Sequence, residues 1–213
     1  KLKVESEQKK YKQEKMVNWF EPGMLAQTGI KAIVSSTFGN FADKRETQAA
    51  LHDSAVEEKE QDELNEYYSS NDDFWLDYIS DSGDGFNSTY SVAHLVGLPS
   101  LEIETGQGKK QIPRGKILIL GGDQVYPTPT MEMYDNKFRI PFKAAFPYQD
   151  ETEHPHMYAI PGNHDWYDGL SNFIKLFCQK RWIGNWITKQ HRSYFALQLP
   201  HGHWIWATDI QLN

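Results

Sequence analysis

Cysteine is almost missing from this chain: Cys178 stands alone among 213 residues, so no internal disulfide can form and a small cross-linked scaffold is excluded. No apolar run reaches the ~20 residues that cross a bilayer, and no basic, apolar and small-residue succession opens the chain as a secretory leader does. An excess of positive charge is lacking too. Against 29 Asp and Glu stand 22 Lys and Arg, a formal net charge of −7, which argues against nucleic acid as a bulk partner. These absences lead to the expectation of a cytoplasmic protein with no evident membrane contact, its oligomeric state undefined. What the chain does have is packing material: 39% hydrophobic residues with eleven Phe, eleven Tyr and seven Trp, enough for a sizeable core.

Residues 1–15 carry six Lys and three Glu with almost no apolar face, the pattern of a solvated arm. Pro22 can open a helix in which Leu25, Ile30, Ile33, Val34, Phe38 and Phe41 form an apolar stripe expected to pack. The stretch from Asp43 to Tyr68 is polar, rich in helix formers, and reads as a long surface helix. Residues 1–70 are thus expected as a helical N-terminal segment. Beyond them the period changes. FWLDYIS at 74–80, KILILGG at 116–122 and HMYAIPG at 156–162 read as strands, each followed by a loop and a helix. The helices are STYSVAHLVG with Asn87 or Ser88 as cap, a stretch through Met133, Phe138 and Phe142, and one with Leu170, Phe173, Ile174 and Phe177 at i, i+3, i+4, i+7. SYFALQL and HWIWATD flank Pro200-His201-Gly202 as a strand pair. The expected class is α/β, a sandwich with a mixed sheet flanked by helices and sites at the carboxyl ends of its strands.

Those strand ends read DSGDG from Asp81, GGDQVY through Asp123 to Tyr126, and GNHD from Gly162 to Asp165. They recur at about 40 residues, the spacing of successive β-α-β units, so neighbouring strands can bring Asp81, Asp123 and Asn163 to one place. Carboxylates gathered in that way repel unless something positive sits among them, and a divalent or trivalent metal is the usual neutraliser. A calcium loop is a poor alternative, because DSGDGFNSTYSV meets only the first position of the EF-hand template.

The ordered motifs resemble the calcineurin-like metallophosphoesterase superfamily, with its D-x-H, G-D-x-x-D and G-N-H-D/E blocks, over residues 74–210. Gly83 stands where that pattern has His, and Tyr126 where it has the last acid; both departures are similar to the purple acid phosphatase branch, D-x-G and G-D-x-x-Y. The resemblance implies a dinuclear-metal phosphoester hydrolase, a phosphatase or phosphodiesterase, acting on a phosphorylated substrate of unspecified class. Asp81 would ligate the first metal, Asp123 would bridge both, Tyr126 would complete the first site and Asn163 would ligate the second. Iron is implied at the Tyr126 site, and iron, zinc or manganese at the other. A metal-bound hydroxide would attack phosphorus, with His164 assisting the leaving group and Asp165 orienting its ring. The family's later His blocks have no match here, since His201-Gly202-His203-Trp204 lacks the second His of G-H-x-H. Residues 71–213 are therefore expected to be the N-terminal part of a catalytic domain, incomplete at its C-terminus. A catalytically inactive regulatory or scaffold domain retaining the fold is the alternative. Of the remaining residues, His52 and His94 are expected to be structural or exposed, and His154 and His156 to sit in a loop. His191, His201 and His203 could approach the site, Cys178 belongs to the core, and Tyr194 with Trp182, Trp186, Trp204 and Trp206 is expected to pack.

Overall fold

The computed structural model describes residues 12–42 and 54–210, so most of the expected arm, His52 and the first part of the 43–68 helix lie outside the described residues. At the centre is β4 (Ile117–Leu120), whose Ile-Leu-Ile-Leu run is buried throughout because both of its faces are covered. It pairs in parallel with β1 (Leu76–Ile79) on one side and with β5 (His156–Ala159) on the other. Next come β7 (Trp186–Thr188), parallel to β5, and β6 (Trp182–Ile183), antiparallel to β7, which gives a mixed sheet in the order β1-β4-β5-β7-β6.

Period-two alternation sends neighbouring side chains to opposite cores. Leu118, Leu120, Met157 and Ala159 enter one, packed with Ala93 of α3 (Phe86–Gly97) and with Phe173, Leu176 and Phe177 of α6 (Ser171–Phe177). The same core takes Tyr134, Phe138 and Phe142 from a helical run built of α4 (Met131–Tyr134), a π-turn (Asp135–Arg139) and α5 (Ile140–Ala145). Pro141 accounts for the widened turn: it has no N–H to offer the carbonyl of Lys137, and its ring would clash with that carbonyl in a regular helix. Ile117, Ile119 and Tyr158 face the second core, which is roofed by α2 (Ser54–Ser69) and by the antiparallel pair β8 (Phe195–Gln198) and β9 (Trp204–Ala207).

Several expectations need revision. The polar 43–68 stretch is more than a surface helix: Leu64, Tyr67 and Tyr68 of α2 lie against the second core, and buried Tyr68 hydrogen-bonds both His156 and Tyr158. Ion pairs from Glu57 to Arg192 (2.8 Å) and from Glu60 to Lys180 (2.5 Å) fasten the same helix to the segments that follow α6 and precede β8. Helix α1 (Pro22–Ala42) begins at Pro22 as predicted, yet Leu25, Ile30, Ile33 and Val34 are 50 to 67% exposed. It meets the fold at the Asp165–Asp168 turn, a contact too small to cover four apolar side chains; the side chains of Phe38 and Phe41 lie outside the described residues. Residue Gly85, not Asn87 or Ser88, precedes α3 and offers no side-chain cap, while the N–H of Phe86 at the helix start donates to the carbonyl of Glu14. Trp186 is buried as expected, whereas Trp182, Trp204, Trp206 and Tyr194 are all exposed, Trp206 by 75%. A hairpin of β2 (Ser100–Thr105) and β3 (Gly108–Pro113) adds an unexpected second, two-stranded sheet. No helix among the described residues is long and apolar enough to cross a membrane.

Candidate metal centre

Ile79, Leu120 and Ala159 lie in register on adjacent parallel strands, so the loops that follow them start side by side. The Asp81 N–H donates to the Gly122 carbonyl at 3.0 Å, tying the first two loops together. Asp81 and Asp123 both turn off their strands with left-handed backbone, at φ 55° and 50°. L-residues rarely adopt that conformation, and it costs roughly 1 kcal/mol or more each; such outliers cluster where a side chain must be aimed.

Their carboxylates meet at one phenol. Tyr126 Oη lies 2.8 Å from Asp81 Oδ1 and 3.0 Å from Asp123 Oδ2, so a single hydroxyl proton serves two anionic oxygens. Burial pushes the phenol far above its ordinary range, and the hydrogen bond to Asp81 and the charge of Asp123 add to the shift. Two glycines make the convergence possible by close approach. A Cβ on Gly83 would stand 1.8 Å from the Gln124 carbonyl, and one on Gly162 would stand 2.1 Å from Asp123 Oδ1. The Tyr126 N–H donates to the Gly83 carbonyl at 3.1 Å, so the two departures from the wider motif, Gly83 and Tyr126, are parts of one contact.

Three hard oxygen donors held this closely fit a hard cation, which would replace the shared proton and favour the phenolate by opposite charge. Among the described residues no group of three His, Cys, Asp or Glu side chains gathers to hold a metal, so phenol and amide oxygens have to contribute. Asn163 is not drawn into the cluster. Its side chain is exposed, with Nδ2 3.4 Å from Tyr167 Oη, although its neighbours Gly162 and His164 both touch Asp123.

The expectation that Asp165 orients the His164 ring is corrected. His164 Nδ1–H donates to the Pro127 carbonyl at 2.9 Å, and its backbone N–H to Asp123 Oδ1 at 2.9 Å. Asp165 turns inward instead. Fully buried, it accepts from Gly162 N–H (2.9 Å), Gln124 N–H (3.3 Å) and the Tyr134 hydroxyl, bolting the β4 loop to the β5 loop. Burial raises its carboxyl to about 7 against the pull of those donors.

Other contributors carried no motif. Lys137 is buried, and its ammonium donates to the carbonyls of Asp84 and Tyr126, each at 2.9 Å, while burial lowers its affinity for the proton. Its one signal is a charge among Tyr134, Phe138 and Phe142 on an otherwise apolar helix face. Trp19 arrives from the N-terminal segment and sets its ring edge-on to Tyr126 and His164, with centroids at 5.3 and 5.9 Å. None of the later histidines is bonded into the cluster: His191 pairs with Glu60, His201 with the Asp72 carbonyl, and His203 is exposed.

The mostly parallel sheet thus carries an Asp-Asp-Tyr oxygen cluster at its strand ends, with Asn163 and His164 beside it. The family model for calcineurin-like phosphoesterases matches residues 74–210, and the chain belongs to that family, whose members are typically metal-dependent. No curated protein and no solved structure matches the chain.

Proposed function

We propose that this protein is a dinuclear-metal phosphoester hydrolase of the purple acid phosphatase-like variant, acting on a phosphorylated substrate. The observation that carries the reading is the phenol proton shared by Asp81 and Asp123 at adjacent strand ends. Asp81, Asp123 and Tyr126 would hold one ion, iron; Asp123 would be joined by Asn163, exposed in this structure, at a second, which would be iron, zinc or manganese. When bound, such ions supply Lewis-acid charge at the phosphoryl group and a nucleophile at neutral pH.

The chain's own part follows from its hydrogen bonds. A carbonyl only accepts, so Pro127 holds the proton on His164 Nδ1 and leaves Nε2 to face the reaction. With a proton also on Nε2, His164 would pass it to the departing oxygen as the phosphorus–oxygen bond breaks. Asp165 acts at one remove, by keeping Gly162 and Gln124, and with them the loops that carry Asn163 and Asp123, at fixed spacing.

The rival reading, a scaffold that keeps the fold without turnover, is favoured by the lack of three clustered His, Cys, Asp or Glu side chains among the described residues. Metal titration and hydrolysis of p-nitrophenyl phosphate and its bis-ester separate the two. A hydrolase loses at least a hundredfold in turnover with Asp123→Asn. Its oxidised iron form shows a visible tyrosinate band that Tyr126→Phe abolishes. No metal uptake and no hydrolysis by the wild type would establish the scaffold.

A further inference from the structure

The segment from residue 12 to Phe20 precedes the matched region, yet it is fastened to the loops that carry the site. The Phe86 N–H donates to the Glu14 carbonyl at 3.0 Å, and the Val17 N–H to Asp84 Oδ1 at 3.3 Å. The backbone of Met16 presses so near Gly85 that a Cβ there would lie 2.8 Å from its nitrogen. These anchors grip the loop that follows Asp81 and bring Trp19 against Tyr126 and His164. The His164 ring is thereby boxed by three aromatics: Tyr126 at 4.6 Å, Tyr167 at 4.9 Å and Trp19 at 5.9 Å between centroids. Tyr126 and Tyr167 belong to the loops of the sheet itself. Trp19 is the wall supplied from outside the family domain, and within this box His164 is only 9% exposed.

We propose that Trp19 is a specificity-determining residue, which shields His164 and admits groups to it by size. The selectivity part rests on the phosphoesterase reading, in which the leaving group must reach His164 Nε2; the shielding part does not. Steric walls of this kind discriminate by roughly 10- to 200-fold between groups that fit and groups that do not. Indole removal should open the leaving-group side while leaving the Asp81, Asp123 and Tyr126 oxygens in place.

The test has two arms on the full chain. In the first, diethyl pyrocarbonate labelling is mapped by mass spectrometry. Exposed His94 serves as the internal standard, and His156, bonded to Tyr68, as the monitor of an intact fold. His164 should label at least severalfold faster in Trp19→Ala than in wild type, with His94 and His156 unchanged, and Trp19→Phe should keep most of the protection. Equal His164 rates in wild type and Trp19→Ala, or full loss of protection in Trp19→Phe, would overturn the proposal. In the second arm, with manganese(II) present, the ratio of hydrolysis of a naphthyl to a methyl phosphate ester should rise about tenfold or more in Trp19→Ala. A change that is the same for both esters overturns the selectivity. Absence of turnover in every protein would sink the phosphoesterase reading alone, and the labelling would still decide whether Trp19 shields His164.

Discussion

Replacing Asp165 by Asn should flatten the pH dependence of stability without disturbing the fold. The carboxyl is fully buried, and burial lifts it from its ordinary 3.8 to about 7. An acid that binds its proton more tightly when folded contributes stability that is complete below the unfolded value and lost as pH rises through the folded one. Over the interval from pH 5 to pH 8 the wild type should therefore lose about 2 to 3 kcal/mol from this group. Asparagine fits the same cage. Its amide oxygen can accept from the Gly162 and Gln124 N–H groups, and its amide nitrogen can donate to the Tyr134 oxygen. Urea unfolding at pH 5, 6.5 and 8 in the presence of a chelator reads the difference. The wild-type midpoint should fall with pH, and that of Asp165→Asn should stay level or fall much less. Parallel profiles for the two proteins would mean that Asp165 is ionised in the fold throughout, and the reasoning from burial would be refuted.

Two further perturbations probe the frame of the centre. Gly83→Ala sets a methyl against the Gln124 carbonyl and should cost about 3 kcal/mol or more, seen as a drop in Tm together with altered near-UV circular dichroism from the displaced Tyr126; an unchanged Tm would show that the loop yields. Lys137→Met keeps the volume but strands the carbonyls of Asp84 and Tyr126, and should cost about 2 to 4 kcal/mol and weaken metal binding; unchanged unfolding and affinity would make the buried ammonium incidental.

The strand ends were legible in the sequence because each polar cluster follows an apolar run whose burial is its own signal, clearest at Ile117–Leu120. The β2–β3 hairpin was not, since its residues are exposed on both faces and leave no periodic trace. In α2 the stripe of Leu64, Tyr67 and Tyr68 was masked by the acidic residues around it. The motifs named Asp165 without its partners: which donors a carboxylate meets is decided by how two loops approach, and that is a tertiary fact. Trp19 lay further still from any local signal, because it reaches Tyr126 and His164 across more than a hundred residues of chain.

The left-handed turns at Asp81 and Asp123 bear on what drift would do to this protein. Glycine at either position would relax the backbone, and asparagine would remove a negative charge from a crowded pair while tolerating the same geometry. Strain thus favours change at both acids, against the hydrogen bonds they accept from the Tyr126 hydroxyl and, at Asp123, from the His164 N–H. Gly83 and Gly162 are in the opposite position, jammed against neighbouring backbone whether or not any chemistry is performed. A lineage released from any chemistry at these strand ends should therefore keep its glycines and be freer to change its aspartates.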